Sequence, residues 1–100
     1  MTTVRVTLPH HLRALAGTGA EVTVEAGAHP TVASVLDALE AAHPALLGTV
    51  RDRASGARRP YMRYMACGRD LSHEPADRAL PDPVVRGEEP LRLVGAIAGG

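Results

Sequence analysis

Polar and apolar residues alternate in two short segments, one near each end of the chain, and this pattern limits the folds that the chain can adopt. In residues 3–8 polar and apolar side chains alternate, which places Val4 and Val6 on one face. This period of two predicts a strand with one buried face, and Pro9 ends the strand because it cannot donate to a ladder. Residues 91–94 are predicted to form a final strand.

One amphipathic helix is predicted between these strands, over residues 31–42. Thr31 is a suitable N-cap, and Pro44 disfavours helical geometry at the residue before it, so the helix should stop near Ala42. Four residues at helical spacing form a single apolar stripe, namely Val32, Val35, Leu36 and Leu39. The helix should therefore pack across one face of a sheet.

The remaining segments complete an α+β pattern. Residues 21–25 alternate and should form a hairpin with the first strand across a glycine-rich connection, while residues 61–66 predict a third strand. Residues 51–60 are interpreted as a mobile polar loop, and residues 76–80 as one helical turn. This element order predicts a β-grasp roll, a mixed sheet with one main helix on one face and the first and last strands parallel at its centre. The predicted core consists of Val4, Val6, Val22, Val24, Val35, Leu36, Leu39, Met62, Tyr64, Leu91 and Leu93.

Length, charge and cysteine content narrow the class of protein. One domain is predicted over residues 1–100, with a flexible tail from about residue 95. Eleven arginines balance eleven acidic residues, so there is no basic footprint for nucleic acid. A single cysteine fits a reducing compartment, and no apolar run approaches the roughly 18 residues of a membrane helix. We therefore expect a cytoplasmic protein, monomeric when free, that binds neither nucleic acid nor membrane.

The sequence ends in Ala98-Gly99-Gly100, directly after the predicted last strand. With this element order, the chain resembles the ThiS/MoaD group of ubiquitin-like sulfur carriers, and it is most similar to the CysO-type carriers of cysteine biosynthesis. The resemblance covers essentially the whole chain. It is carried by the alternating first strand, the 31–42 helix, the strand and turn at 61–71, a turn containing Gly87, and residues 91–100.

The resemblance implies that the chain is a protein cosubstrate, not an enzyme. An E1-like adenylating enzyme would activate the carboxylate of Gly100 with ATP, and a sulfur nucleophile would then displace AMP to leave a thiocarboxylate. A second biosynthetic enzyme would accept the sulfur. The chain itself would bind no cofactor, since ATP belongs to the activating enzyme. Gly99 lacks a Cβ, which suits a backbone that must thread a narrow channel.

A partner surface is also predicted. Residues 96–100 should be exposed and mobile in the free protein and become ordered on a partner, with Ile97 and Ala98 in contact with it. If the alternating strands bury their apolar residues, then Arg5, Arg63 and Arg92 form a row on the outer sheet face, flanked by Tyr61 and Met65. Arginine with aromatic residues and methionine is an interface-like composition. A merely solvated sheet face is the alternative.

Several alternatives remain open at the level of sequence. Cys67 is interpreted as a packing or turn residue, with a sulfur relay as the other possibility. The five histidines have no metal-ligand spacing, so no metal site is expected. The chain could instead be a ubiquitin-like modifier joined through Gly100, the small subunit of molybdopterin synthase, or a binding subunit without tail chemistry. Cysteine or a sulfur-containing metabolite is the favoured product.

Overall fold

A mixed five-stranded sheet frames the molecule. The computed structural model describes residues 2–95. Its strands are β1 (Thr3–Thr7), β2 (Glu21–Glu25), β3 (Met62–Ala66), β4 (Arg69–Asp70) and β5 (Leu91–Gly95), in the order β2-β1-β5-β3-β4. β1 and β5 run parallel in the middle, and their outer neighbours run antiparallel to them. The predicted β-grasp arrangement is therefore confirmed. The predictions for residues 96–100 lie outside the described residues.

The main helix, α2 (Val32–Ala42), is confirmed at both ends. The backbone N–H of Ser34 donates to the Thr31 hydroxyl at 3.0 Å, and the backbone N–H of Thr31 donates to the Ser34 hydroxyl at 2.8 Å. This reciprocal capping box satisfies two amides that would otherwise lack partners. The predicted apolar stripe is buried against the sheet side of the molecule.

A second helix, α1 (His10–Ala16), occupies the connection between β1 and β2. The prediction of a plain glycine-rich connection was wrong. Leu12 is fully buried, whereas Leu15 is 50% exposed, so the helix has one buried face. Isolated helices this short are marginal in water, and the packing of Leu12 is what stabilises α1. Gly17, with a φ of 69°, ends the helix in the left-handed conformation.

The third helix, α3 (Asp82–Val85), lies just beyond the helical turn that was predicted at 76–80. The segment at 76–80 forms only a single hydrogen-bonded turn, in which the backbone N–H of Arg78 donates to the carbonyl of Pro75 at 3.1 Å. It does not continue as a helix, because Ala79 bridges to Thr31 and the backbone N–H of Leu80 donates to the carbonyl of Pro30. Pro83 falls in the first turn of α3, where the missing N–H carries no penalty. Val84 is the residue that α3 buries.

The core lies between the sheet and the helices. Every predicted core residue is buried except Val22, which is only partly buried. The structure adds several buried residues from connecting segments, namely Leu8, Leu12, Ala26, Leu46, Val50, Leu71, Leu80 and Val84. The 3-10 helix Pro44–Leu46 supplies one of these and contacts both α1 and α2. The short helices are thus part of the core and not decorations on it.

The basic loop at 51–60 was interpreted as mobile, but its arginines attach it to the body. Arg51 forms an ion pair with Glu40 of α2 at 2.9 Å, with both side chains mostly buried. Arg58 donates to the backbone carbonyl of Met62 at 2.8 Å. The sequence pattern shows that this loop is polar but does not show that it is anchored.

Cys67 and Gly68 form the two-residue turn between β3 and β4. Both have positive φ, 52° and 74°, and the flanking residues Ala66 and Arg69 are paired. Positive φ at both central residues is the conformation of type I′ hairpin turns. Cys67 is exposed, so it is a turn residue and not a packing residue.

Replacing Cys67 with asparagine should stabilise the protein. Asparagine tolerates the left-handed region better than most side chains, and the strain there is about 1–2 kcal/mol for other residues. We expect the free energy of unfolding in urea to rise by up to about 1 kcal/mol. Cys67→Val, which is β-branched, should lower it, and an equal effect of both variants would contradict this reading of the turn.

Candidate functional site

The outer sheet face, defined here as the face opposite α2, carries the predicted partner residues. On β5, Leu91 and Leu93 are buried while Arg92 is exposed, and β3 alternates in the same way around Arg63 and Met65. Since successive side chains in a strand point to opposite faces, these residues share the outer face. On β1, Val4 and Val6 are buried and Arg5 lies between them on the opposite face. The side chains of Arg5, Arg63 and Arg92 therefore point to the outer face, as the sequence predicted.

Strand register places Arg92 at the centre of this face. Arg92 pairs with Thr7 on β1 and with Met65 on β3. Thr7 pairs in turn with Glu21 on β2, and Met65 pairs with Asp70 on β4. One row therefore crosses all five strands and has a carboxylate near each edge. Arg5 and Arg63 are not in this row.

Arg5 and Arg63 lie on a diagonal through Arg92. Arg63 is opposite Val94, two residues beyond Arg92, and Arg5 is two residues before the partner of Arg92 on β1. The three arginines thus share the face but stand in different rows. Their spacing leaves room for each to have its own partner.

Arg5 is bound to a neighbouring strand. Its Nε and Nη2 both donate to the Glu21 carboxylate at 3.0 Å, and its Nη1 donates to the carbonyl of Gly87 at 3.1 Å. These hydrogen bonds hold the pKa of Glu21 below its ordinary value, with a smaller contribution from the charge of Arg92. The Arg5 charge is therefore compensated within the chain.

The charge of Arg63 is also compensated within the chain. Its Nη1 lies 3.1 Å from a carboxylate oxygen of Asp70. The pKa of Asp70 is lowered chiefly by hydrogen bonds from the side chain and backbone of Ser72, and less by Arg63. Both arginines that flank Arg92 already have carboxylate partners.

Arg92 differs from its two neighbours. Its side chain is exposed and makes no ion pair or side-chain hydrogen bond with another residue in the range 2–95. Met65 lies directly beside it, and Val94, two residues along the same strand, is 40% exposed. Val94 was not among the partner residues predicted from the sequence, although the alternation that buries Leu93 also turns Val94 outward.

Tyr61 lies at the end of the sheet where β5 finishes, not beside Arg92. It directly precedes Met62, whose partner in the register is Gly95. The Tyr61 hydroxyl donates to the carbonyl of Thr49 at 3.3 Å, and the residue is 37% exposed. Of the two residues predicted to form an apolar centre, Met65 occupies the central position.

Helix α1 borders the start of the C-terminal tail. A Cβ on Gly95 would lie 3.1 Å from Cε1 of His11 and 3.8 Å from Cβ of Pro9. A shallow groove at this point is lined by residues of β1 and β5 together with Arg13, whose Nε donates to the carbonyl of Leu8 at 2.7 Å. Arg13 was missed because α1 was not predicted. Ile97, Ala98, Gly99 and Gly100 lie outside the described range.

Other kinds of site find no support in the described part of the chain. Among residues 2–95, no three histidine, cysteine, aspartate or glutamate side chains come together as metal ligands. No helix within that range has the length and apolarity needed to cross a membrane.

Comparisons with known proteins point to one kind of fold. No protein-family model matches this sequence, and neither does any curated protein. SAMP1 from Haloferax volcanii matches with a TM-score of 0.75 and 26% identity over 98% of this chain and 99% of its own. A chain of the Amycolatopsis orientalis BexX/CysO complex matches at 0.73 and 21% over 97% and 99%. CysO of Mycobacterium tuberculosis, described as an antigen, matches at 0.71 and 22% over 94% and 99%.

The strand order, the helix packed across one face of the sheet and the similarity to SAMP1 define a ubiquitin-like β-grasp fold. Its structural relatives include SAMP1 and CysO, so the resemblance to proteins of the CysO type, indicated by the sequence, is confirmed at the level of the fold. Two of the matched structures are described as small archaeal modifier protein 1.

Proposed function

We propose that this chain is a sulfur carrier whose working group is the C-terminal carboxylate of Gly100. The observation that carries the proposal is the position of the tail. β5, a central strand of a fold shared with SAMP1 and CysO, ends at Gly95 and leads into a sequence that finishes Ala98-Gly99-Gly100. Sulfur would pass from Gly100 to an acceptor enzyme that makes cysteine or another sulfur-containing metabolite.

The chemistry requires an activating partner, because a carboxylate is a poor acyl donor. A Gly100 carboxylate oxygen attacks the α-phosphorus of ATP held by an E1-like enzyme, and pyrophosphate leaves. A sulfur nucleophile then attacks the carbonyl carbon of the acyl-adenylate, and AMP leaves with the bonding electron pair. The product is a thiocarboxylate on Gly100. This chain contributes the carboxylate and the surface that positions it.

The short tail restricts where the partner can hold the body. Five residues, 96–100, follow Gly95, and a fully extended chain spans at most about 3.5 Å per residue, or about 17 Å in all. The bound nucleotide must therefore lie within that distance of the end of β5. A contact surface close to Gly95 satisfies this limit with little extra chain to order, which reduces the entropy lost on docking.

The outer sheet face meets that requirement. Arg92 is three residues from Gly95 and has a charge that no carboxylate of residues 2–95 neutralises by direct contact. Met65 and Val94 supply apolar surface beside it. Arg5 and Arg63 would contribute less, because each must first leave a partner, although exposed ion pairs are weak enough to exchange. We assign Tyr61, Ile97 and Ala98 to the rim where the tail enters the enzyme.

Intact mass after incubation with ATP, an E1-like activating enzyme and sulfide tests the proposal. Replacement of one oxygen by sulfur at Gly100 is the expected result. A variant with one alanine added after Gly100 keeps the whole folded body but moves the carboxylate away from the glycine pair. It should accumulate no thiocarboxylate. If the wild-type mass never changes with such an enzyme, or if the extended variant is charged equally well, the proposal fails.

A modifier function is the second candidate. Two structural relatives, from Haloferax volcanii and Methanosarcina acetivorans, are small archaeal modifier proteins. Attachment to lysines would use the same acyl-adenylate, so conjugates on other proteins, instead of a free thiocarboxylate, are its distinguishing product.

The BexX/CysO complex supports a dedicated partner protein for carriers of this fold.

A further inference from the structure

A cavity on the α2 side of the sheet has no part in tail chemistry. It measures about 220 Å³ and lies between the start of α2, the loop at 56–58 and the segment at 71–76. Its apolar wall is formed by Val32, Ala33, Leu36, Ala57, Leu71 and Ala76.

Tyr64 places a polar group in this cavity. The residue is only 5% exposed, yet its hydroxyl makes no hydrogen bond with any side chain or backbone group of residues 2–95. No side-chain polar atom in that range is both fully buried and without a partner, so the hydroxyl retains some exposure, and Tyr64 lines the cavity. The hydroxyl is therefore free to donate to a ligand or a water molecule in the cavity.

The charges around the cavity leave one excess positive group. Arg51 lines it but is paired with Glu40, and Glu74 lines it but is paired with Arg69 at 2.9 Å. Arg58 also lines the cavity and forms no ion pair within the described range. It donates only to backbone carbonyls, including that of Met62 at 2.8 Å.

Both arginines are close enough to act on the tyrosine. Burial raises the pKa of Tyr64, and the charges of Arg51 and Arg58 oppose that rise. The hydroxyl therefore remains protonated and can donate, while the guanidinium of Arg58 supplies positive charge from the same wall. A hydroxyl donor, a cation and an apolar wall together suit one kind of ligand.

We propose that this cavity binds a small carboxylate with an apolar body. The carboxylate would accept a hydrogen bond from the Tyr64 hydroxyl and lie against Arg58, since charge-assisted hydrogen bonds are the stronger kind. The apolar body would contact Val32, Leu36 and Leu71. Inorganic phosphate fits less well because it would leave the apolar wall uncovered.

The site is independent of the proposed carrier function. Tyr64 and α2 lie on the side of the sheet opposite Arg92, so a ligand in the cavity does not compete for the outer face. Binding can be measured on the full chain alone, without an activating enzyme or sulfide. Failure of the carrier proposal and failure of the cavity proposal are therefore distinguishable.

Titration of the full-length protein with benzoate, followed by amide NMR shifts, tests the inference. Benzyl alcohol serves as a neutral probe of similar shape, and inorganic phosphate as an anion without an apolar body. We expect saturable shifts with benzoate at Ala33, Ala57 and Ser72, and much weaker binding of both controls. An adventitious surface effect would instead give shifts that neither saturate nor cluster at these amides, and would overturn the proposal.

Variants identify the groups that bind. Tyr64→Phe removes a hydroxyl that has no partner in residues 2–95, so the fold should survive while benzoate binding weakens about threefold or more. Tyr61→Phe, the matched change on the other tyrosine, should leave binding unchanged. Arg58→Gln should weaken it about tenfold or more. Equal affinity in wild type and Tyr64→Phe, or equal affinity for benzoate and benzyl alcohol, would overturn the proposal.

Discussion

Replacing Arg92 with glutamate is expected to slow thiocarboxylate formation at least tenfold when the activating enzyme is sub-saturating. Arg92 is exposed at the centre of the outer face and has no ionic partner among residues 2–95. If it meets a carboxylate of the enzyme, the substitution sets two negative charges against each other, which can cost several kcal/mol at a desolvated contact. The loss should appear in affinity, with the rate at saturating enzyme less affected.

A matched variant separates this local effect from a change in net charge. Arg53→Glu makes the same charge change at an exposed position of the loop at 51–60, close to Asp37 and Glu40 of α2 and on the other side of the sheet. It should be charged with sulfur at the wild-type rate. Wild-type charging of Arg92→Glu would show that the outer face is only solvated.

The flanking arginines supply a graded comparison. Arg5 and Arg63 already contact Glu21 and Asp70, so each must leave that carboxylate before it can contact an enzyme. Arg92→Ala should therefore reduce affinity for the activating enzyme more than Arg5→Ala or Arg63→Ala. This ranking could not be made from the sequence, in which the three arginines look equivalent.

The alternation of side chains along a strand explains why part of the site could be predicted from the sequence. Alternation fixes which side chains share a face, so the outward positions of Arg5, Arg63 and Arg92 followed once their apolar neighbours were placed inside. Which residue stands opposite which depends on register between distant strands. Glu21 is 16 residues from Arg5, and nothing local sets their pairing. The cavity at Tyr64 was unpredictable for the same reason, because four separate segments of the chain line it.

Among the helices and strands, those with a clear local sequence pattern were predicted, and those that depend on tertiary contacts were not. β1, β5 and α2 each carry a repeated apolar pattern and an end signal, and all three were located from the sequence. β4 has two residues and α3 has four, too few for any period to be visible. α1 has seven residues with one buried leucine and no side-chain cap, so its stability comes from contacts that the sequence does not display.

Leu12 offers the most direct test of that last point. Its side chain is fully buried, and α1 contacts the 3-10 helix Pro44–Leu46. Leucine-to-alanine changes in cores typically cost about 2–5 kcal/mol, from lost transfer free energy together with the cavity that remains. Since domains of this size have only about 5–15 kcal/mol of stability, Leu12→Ala should lower the midpoint of urea unfolding markedly.

Leu15→Ala is the internal control, because it makes the same chemical change on the same helix at a position that is 50% exposed. Both variants alter helix propensity equally, so the difference between them isolates the burial of Leu12. We expect the free energy of unfolding to change by less than about 0.5 kcal/mol for Leu15→Ala. If α1 were only a loosely attached connection, the two substitutions would have similar small effects. A large loss confined to Leu12→Ala would establish that this short helix, which also borders the start of the tail through His11 and Gly95, is a structural part of the core.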